Sequence, residues 1–226
     1  MKLDIELEQF IKSHINLINE DTEESWRYIY RDFEDYDGED LPGNFGRVML
    51  ECGIDPCIKI GEVPRRFLQG QNNITSYKIP DNCTYIGMSA FEDTSIKSID
   101  IPDSINAIDF LAFSNTRLKS ITLPDKVRIL ENAVFFGCKE LEEVDLGNVF
   151  AMGQDIFEGC EKLSKIIIPN TIEILDSSNF NGCKKLKEII FLGTTDQFSK
   201  MVEGYPDNNK IIVHCTDGDY IWEVDW

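Results

Sequence analysis

Positive charge is scarce in this chain. Its 226 residues carry 22 lysines and arginines against 41 aspartates and glutamates, a formal net charge of −19. A protein that binds nucleic acid directly needs a basic face for the phosphates, so direct binding of nucleic acid is not expected. The charge balance favours a protein partner with a basic surface.

Long apolar runs are also missing, since no stretch approaches the 18 residues that indicate a membrane-spanning helix. The first ten residues, MKLDIELEQF, are acidic and amphipathic, unlike the basic start and apolar centre of a signal peptide. We therefore expect a cytoplasmic protein that does not associate with membranes. In a reducing cytosol its seven cysteines should be thiols.

Catalytic motifs are missing as well. The chain has two histidines, and it contains no glycine-rich phosphate loop, no G-x-S-x-G and no H-E-x-x-H. Cys52 and Cys57 have no second pair of matching spacing, so they do not indicate a metal site. His214 and Cys215 resemble the start of the H-C-x5-R loop of cysteine phosphatases, but Ile221 occupies the arginine position. We expect no enzymatic activity, no cofactor and no metal site.

What the chain does contain is one pattern written five times, between about Ile79 and Ile189, at a period of 22 to 23 residues. Apolar residues recur in it at fixed offsets, which is typical of coils stacked into a solenoid. One coil alone buries too little to fold, so neighbouring coils must share their burial. The copies start at Ile79, Ile101, Leu123, Leu146 and Ile168, and a phenylalanine follows eleven or twelve residues later at Phe91, Phe113, Phe135, Phe157 and Phe180.

Each copy should supply one short strand, because its end alternates between apolar and polar residues, as from Ile121 to Leu123. Strands from successive coils then pair in parallel about 4.8 Å apart. A second position should form a ladder of small buried side chains rather than a metal site, because threonine and cysteine share it. Its members are Thr94, Thr116, Cys138, Cys160 and Cys183.

The pattern I-P-D-x-V-x-x-I-x-x-x-A-F-x-x-C-x-x-L-x-x-I resembles the BspA-type leucine-rich repeats over about 130 residues, from Val63 to Leu192. A sixth, partial copy precedes the five, from Val63 to Ile79. The ending FLGTTDQFSKMV, with VHCTDG after it, resembles the closing segment of that family. The resemblance implies a solenoid that works as a binding scaffold. Gly147 in place of proline and the shortened fourth copy should affect only the local twist.

The fold class predicted is α+β: an acidic helical N-terminal domain at 1–62, a leucine-rich-repeat solenoid at 63–192 with parallel short strands, and a small C-terminal cap at 193–226. Helical spacing and capping residues place three N-terminal helices, at Asp4–Ile18, after Asp21 or Thr22, and at Pro42–Glu51. A short helical preface of this kind resembles leucine-rich repeat proteins of bacteriophages and other mobile elements.

Beyond the repeats, we expect a short helix from Thr195 to Val202 and a strand from Lys210 to Cys215. Two interpretations of the terminal aromatic residues stay open. The rings cover the last coil, whose apolar end needs a cover, or they form an exposed anchor for a partner. The residues concerned are Tyr220, Trp222 and Trp226.

Alternation within the strands also predicts a binding surface. The outward residues form a polar column at one end of the sheet and leave Ile167 and Ile190 as neighbours at the other end. Either the C-terminal tail covers these isoleucines or a partner binds them. The candidate residues on this face are Lys165, Ile167, Glu188 and Ile190.

A second candidate is the stretch Glu20–Asp40, which holds ten acidic residues among aromatic ones. It is either a solvated helix face or a surface that mimics nucleic acid and blocks a basic cleft. The main hypothesis is a non-enzymatic intracellular protein-binding scaffold, and the alternative is a phage-type inhibitor of a host nuclease or defence protein. The oligomeric state stays open. The candidate residues of the stretch are Trp26, Tyr30, Asp32, Glu34, Asp35 and Asp37.

Overall fold

The computed structural model describes residues 45–51, 55–206 and 210–223. The helices predicted at Asp4–Ile18 and after Asp21 lie outside the described residues. Among the described residues no helix is long and apolar enough to cross a membrane. The helices are α1 (Phe45–Glu51), α2 (Pro56–Ile60), a 3₁₀ turn (Ser177–Phe180) and α3 (Thr195–Met201).

The described part is a β-solenoid of about six turns, in which each coil adds its strands to those of the previous coil. The first strands are β1 (Ser76–Lys78), β2 (Tyr85–Ile86), β3 (Ser98–Asp100), β4 (Ala107–Ile108), β5 (Ser120–Thr122), β6 (Ile129–Leu130) and β7 (Glu143–Asp145). They continue with β8 (Ala151–Met152), β9 (Lys165–Ile168), β10 (Leu175–Asp176), β11 (Glu188–Phe191), β12 (Val202–Glu203), β13 (Lys210–Cys215) and β14 (Gly218–Glu223).

The strand predicted for each coil is confirmed. These strands form the main sheet, in the order β5-β7-β9-β11-β13-β14, and β1 pairs with β3 beside it. All pairs except β13 with β14 are parallel. Each coil also makes a second strand of only two residues, and four of these build a second parallel sheet, β2-β4-β6-β8. The sequence pattern did not predict this second sheet.

The coils turn at left-handed residues that recur in every early copy. Ser89, Leu111, Ala133 and Asp155 have φ between 55° and 58°, and each lies two residues before the phenylalanine of its copy. This conformation costs a non-glycine residue about 1–2 kcal/mol. The cost is offset because the tight turns stack, and backbone N–H groups donate to the next coil, as from Phe113 to the Val134 carbonyl at 2.9 Å.

The phenylalanines form one continuous stack through the core. Neighbouring rings from Phe91 to Phe180 lie 5.2 to 6.1 Å apart and within 9° of parallel. Phe67 meets the first of them edge-on, at 6.2 Å. With Val63 bridged to Ile86 and Phe67 buried, the sixth, partial copy is confirmed as a coil of the solenoid.

The N-terminal end of the solenoid is built by residues that the repeat does not include. Helix α1 lies within the third predicted helix, and α2 was not predicted. The Asp55 side chain accepts a hydrogen bond from the Cys57 N–H at the start of α2 and another from the Tyr77 hydroxyl at 2.8 Å. The backbone at Gly46 comes so close to Phe67 that a Cβ there would lie 2.0 Å from its carbonyl oxygen. This contact fixes α1 against the first coil.

The C-terminal elements confirm the predicted helix and strand. Helix α3 begins with a capping box, in which Thr194 and Gln197 satisfy each other's backbone N–H groups. Trp222 is buried against Phe180 and Phe198. For Trp222 the covering interpretation is therefore correct, whereas Trp226 lies outside the described residues. Strand β14 pairs with β13 as a hairpin, which the sequence analysis did not foresee.

Candidate functional site

The outward face of the main sheet carries the column of side chains that alternation predicts. On β7, β9 and β11 the central residues Val144, Ile166 and Ile189 are buried, so their neighbours point away from the core. The register places Glu143 opposite Lys165. The column is therefore set by the pleat of the strands and needs no side-chain contact to hold it.

The structure brings Ile167 and Ile190 together. They are direct partners across β9 and β11, and both are half-buried. The C-terminal hairpin adds two more isoleucines to the same face, because Ile212 pairs with Glu188 on one side and with Ile221 on the other. Ile221 is 49% exposed. We call Ile167, Ile190, Ile212 and Ile221 the isoleucine patch.

The last two members of this patch are absent from the residues predicted for the outward face. Ile212 lies on a predicted strand with no outward assignment, and Ile221 enters the sequence comparison only as a position that lacks an arginine. The signal that could have found them is Asp217-Gly218 between two alternating runs, which is typical of a hairpin. The observed turn is Thr216-Asp217, since Cys215 pairs with Gly218.

The C-terminal hairpin does not lie across the patch. Strands β13 and β14 continue the sheet sideways, so they enlarge the outward face rather than cover it. These two strands therefore do not cover Ile167 and Ile190, and coverage by the rest of the tail stays a prediction.

Acidic groups border the isoleucine patch. His214, which pairs with Ile190 across the strands, has its Nδ1 2.9 Å from Asp219 and its Nε2 3.7 Å from Glu188. The hydrogen bond with Asp219 raises the pKa of His214 despite some desolvation, and the charges of Asp219 and Glu188 act in the same direction. Lys165 pairs with Glu143 at 3.7 Å, with both side chains exposed. The border of the patch thus carries more negative than positive groups.

The candidate residues of the acidic stretch Glu20–Asp40 lie outside the described residues. They are Trp26, Tyr30, Asp32, Glu34, Asp35 and Asp37.

The thiols have a structural explanation. Cys138, Cys160 and Cys183 are fully buried one coil apart, and each donates to a carbonyl of the preceding coil, at 3.1 to 3.2 Å. Burial raises the pKa of Cys160 well above its ordinary value. Thr116 occupies the same position and lies 3.2 Å from the Cys138 sulfur. The predicted ladder of small buried side chains is confirmed.

Cys215 lies in surroundings that oppose its activation. Partial burial, followed by the charges of Asp217 and Asp219, raises the pKa of its thiol, whereas a nucleophilic cysteine needs positive neighbours. Asp217 instead accepts a hydrogen bond from the Thr195 N–H at the start of α3, at 2.8 Å. Among the described residues no three histidines, cysteines or carboxylates are arranged to hold a metal.

The second sheet also presents apolar groups outward. Ile129 is 43% exposed on β6, and Ile174, just before β10, is 55% exposed. Between them Phe150 is covered on one side by the guanidinium of Arg128, 5.8 Å from the ring centroid. These groups are spread along the sheet and are not direct strand partners, unlike Ile167 and Ile190. The isoleucine patch is therefore the better candidate site.

Together, the stacked coils and the outward patch define a repeat-built β-solenoid with an isoleucine patch on the outward face of its main sheet. The family model for the BspA type leucine rich repeat region matches six copies at residues 61–187. The chain belongs to this family. A search of curated protein sequences gave no match.

Two solved structures illustrate the similarity. The leucine rich repeat protein TpLRR of T. pallidum is 26% identical with a TM-score of 0.54, and the match covers 57% of this chain and 61% of that one. The pneumococcal vaccine antigen PcpA is 22% identical with a TM-score of 0.52, covering 67% of this chain and 37% of that one. The chain thus spans less than two thirds of either protein, and the PcpA similarity shows the fold alone.

Proposed function

We propose that this protein is a non-enzymatic scaffold that binds a protein partner through the isoleucine patch. Leucine-rich repeats of this kind are typically scaffolds and commonly mediate protein interactions. The observation that supports the proposal is the arrangement of Ile167 and Ile190, joined by Ile212 and Ile221, on the outward face of the main sheet, where Ile221 is exposed and the other three are half-buried.

The energetics favour contact at this patch. Complete burial of an isoleucine side chain is worth about 1.5–3 kcal/mol, and each member still has part of its surface in water. The acidic border, which includes Glu188 and Asp219, disfavours a partner with acidic groups at its rim. The partner that fits presents an apolar ridge flanked by lysines or arginines.

A photo-crosslinking amino acid tests this assignment directly. We would place it at Ile190, in the centre of the patch, and at Thr122, an exposed residue at the polar end of the same outward column. In cells that naturally produce the protein, the probe at Ile190 should capture one discrete protein. The probe at Thr122 should not capture it, because only the apolar end makes the contact.

The captured protein is then bound in vitro to matched variants. Ile190→Asp should weaken its affinity about 10- to 100-fold, which corresponds to roughly 1.4–2.8 kcal/mol. Ile129→Asp introduces the same change at an exposed isoleucine of the second sheet and should leave the affinity unchanged. Equal capture at Ile190 and Thr122, or equal affinity of both variants, would refute the proposal.

A second candidate function rests on the charge of Glu20–Asp40, ten acidic residues against two arginines. In this alternative the chain inhibits a host nuclease or defence protein by mimicking nucleic acid. Its test is inhibition of the target by a variant with Asp32, Glu34, Asp35 and Asp37 changed to lysine. Inhibition should be lost in this variant and kept in Ile190→Asp, and unchanged potency of the lysine variant contradicts the alternative. A cytoplasmic location stays a prediction from the sequence.

A further inference from the structure

One edge of the solenoid contains a basic cleft, although the chain as a whole is strongly acidic. The cleft has a volume of about 580 Å³. It lies where the chain turns from the phenylalanine stack toward the strands of the main sheet. Its lining residues are Lys97, Asn115, Thr116, Arg117, Lys119, Gly137, Lys139 and Glu140.

A change in turn length accounts for the cleft. The second coil passes from the ladder position to the next core residue through one residue, Arg117, whereas the third coil uses two, Lys139 and Glu140. The longer turn has an additional hydrogen bond, from the Lys139 N–H to the Gly137 carbonyl at 2.8 Å. The fourth and fifth coils also have the longer turn. The turn length therefore changes between the second and third coils, and we call this change the step in the stack.

The main sheet is interrupted next to this step. Strands β3 and β5 lie beside each other but belong to different hydrogen-bonded sheets. Lys97 immediately precedes β3, and Lys119 immediately precedes β5. The two lysines therefore stand on either side of the break, where the backbone ladder does not hold the coils together.

The charges in the cleft are unbalanced. Four cationic side chains line it against one carboxylate, Glu140, which is engaged by Lys162 outside the cleft at 2.6 Å. Lys162, followed by the charges of Lys119 and Arg117, lowers the pKa of Glu140. Within the described ranges, no ion pair joins any of the four lining cations to a carboxylate. Several lysines elsewhere are paired: Lys165 with Glu143, Lys184 with Glu161, Lys200 with Asp196 and Lys210 with Glu223.

We propose that this cleft binds a small anion carrying two or more phosphate groups. Arginine can hold phosphate oxygens in a bidentate manner, and lysines add mobile point charges. The volume lies within the range of about 300–1,000 Å³ typical of small-molecule sites. The acidic remainder of the chain does not prevent binding, since charges more than about 8 Å away are screened at physiological salt. A long nucleic acid would extend beyond the cleft onto this acidic surface.

The site is separate from the isoleucine patch, so it can be tested independently of the proposed function. Isothermal titration calorimetry of the full chain with sodium tripolyphosphate should give saturable one-to-one binding. The expected dissociation constant is about 10–100 μM, which corresponds to a binding free energy of about −5.5 to −7 kcal/mol. Citrate, a tricarboxylate, should bind at least tenfold more weakly. Equal binding of citrate would overturn the assignment to phosphate, and no heat with tripolyphosphate at 1 mM would overturn the site.

Matched charge reversals locate the binding. Arg117→Glu with Lys119→Glu should weaken tripolyphosphate binding more than tenfold. Lys78→Glu with Lys126→Glu changes the net charge equally at exposed lysines outside the cleft and should preserve binding within a factor of two. An equal loss of affinity in both double variants would show that tripolyphosphate binding depends only on the net charge of the chain.

An NMR titration of the unmodified protein checks the result without substitutions. Tripolyphosphate should shift the amide signals of Gly137 and Asn115 first, because both line the cleft. The amides of Ile190 and Ile212 should not move. Shifts spread over the basic edge of the later coils, at Lys184 and Lys187, would contradict a defined site.

Discussion

The indole of Trp222 lies edge-on against the ring of Phe180, with ring centroids 6.0 Å apart and planes at 83°. Every earlier pair in the phenylalanine stack is nearly parallel, so this perpendicular ring ends the stack. Trp222 also donates a hydrogen bond from Nε1 to the Gly204 carbonyl at 3.0 Å. A residue outside the repeats thus closes the apolar end of the solenoid.

The first prediction concerns this closure. Trp222→Ala should lower the free energy of unfolding by about 3–5 kcal/mol, because it removes a buried aromatic side chain and leaves a cavity. Trp222→Phe should cost less, since it keeps a ring against Phe180 and loses the hydrogen bond, worth about 1 kcal/mol. Chemical denaturation measures both variants. Tyr205→Ala is the control, at a residue 55% exposed, and an equally large effect there would contradict the capping role.

The second prediction concerns the cysteine ladder. Cys160→Ala should lower the free energy of unfolding by about 1–2 kcal/mol, because the Phe135 carbonyl loses its 3.2 Å donor and a small cavity forms. Cys160→Thr should cost less than Cys160→Ala, since Thr94 and Thr116 occupy the equivalent positions. The measurement is again chemical denaturation. A more stable alanine variant would show that the hydrogen bond to the carbonyl contributes nothing.

The sequence predicts the solenoid because its signals repeat. The positions of Phe91 and Phe180 follow from a twelve-residue spacing that occurs in four of the five copies, so the one irregular copy does not obscure it. The second sheet lacks such a signal, because a strand of two residues, such as Tyr85–Ile86, is too short to show alternation. These short strands form a sheet only because each coil places one of them in register with the strand of the previous coil.

The candidate sites were less predictable than the fold. Ile167 and Ile190 follow from strand alternation, but Ile212 and Ile221 join them only because the C-terminal hairpin extends the main sheet. The net charge did not indicate the basic cleft, because it is a sum over the whole chain and does not show local groups of positive residues. The cleft depends on the turn at Arg117, which is one residue shorter than the corresponding turn of the next coil. The amino-acid composition does not show such a difference in turn length.

The third prediction is the titration of His214. Its pKa should lie above the ordinary value of 6.5, because Asp219 accepts a hydrogen bond from the charged ring. A group with a raised folded-state pKa stabilises the fold fully below its unfolded pKa, and this contribution is lost as the pH rises through the folded pKa. NMR of the imidazole carbon-bound protons measures the titration directly.

Substitutions at two aspartates separate this contact from general charge effects. Asp219→Asn should lower the pKa of His214 toward 6.5. Asp196→Asn removes the same charge from helix α3, where Asp196 pairs with Lys200, and should leave the pKa of His214 in place. A titration of His214 that does not respond to Asp219→Asn would contradict the assigned hydrogen bond.

The fourth prediction runs against the repeat consensus. Four of the five copies have proline after their first residue and the other has Gly147, so the pattern suggests that Gly147→Pro would regularise the chain. The structure predicts destabilisation by about 3 kcal/mol or more, measured by chemical denaturation. The φ of Gly147 is +57°, whereas proline requires about −65°. The substitution also removes the N–H that donates to Asp145 Oδ1 at 3.0 Å.

Alanine substitutions isolate the part of this effect that comes from close packing. A Cβ at Gly147 would lie 2.5 Å from the Leu123 carbonyl oxygen, whereas a Cβ at Gly70, with φ of +72°, would meet nothing within 4 Å. Gly70→Ala should therefore cost only the left-handed conformation, about 1–2 kcal/mol. Gly147→Ala should cost clearly more, because the backbone of two coils must separate. Equal costs would mean that the fourth coil does not pack on the third as closely as the structure shows.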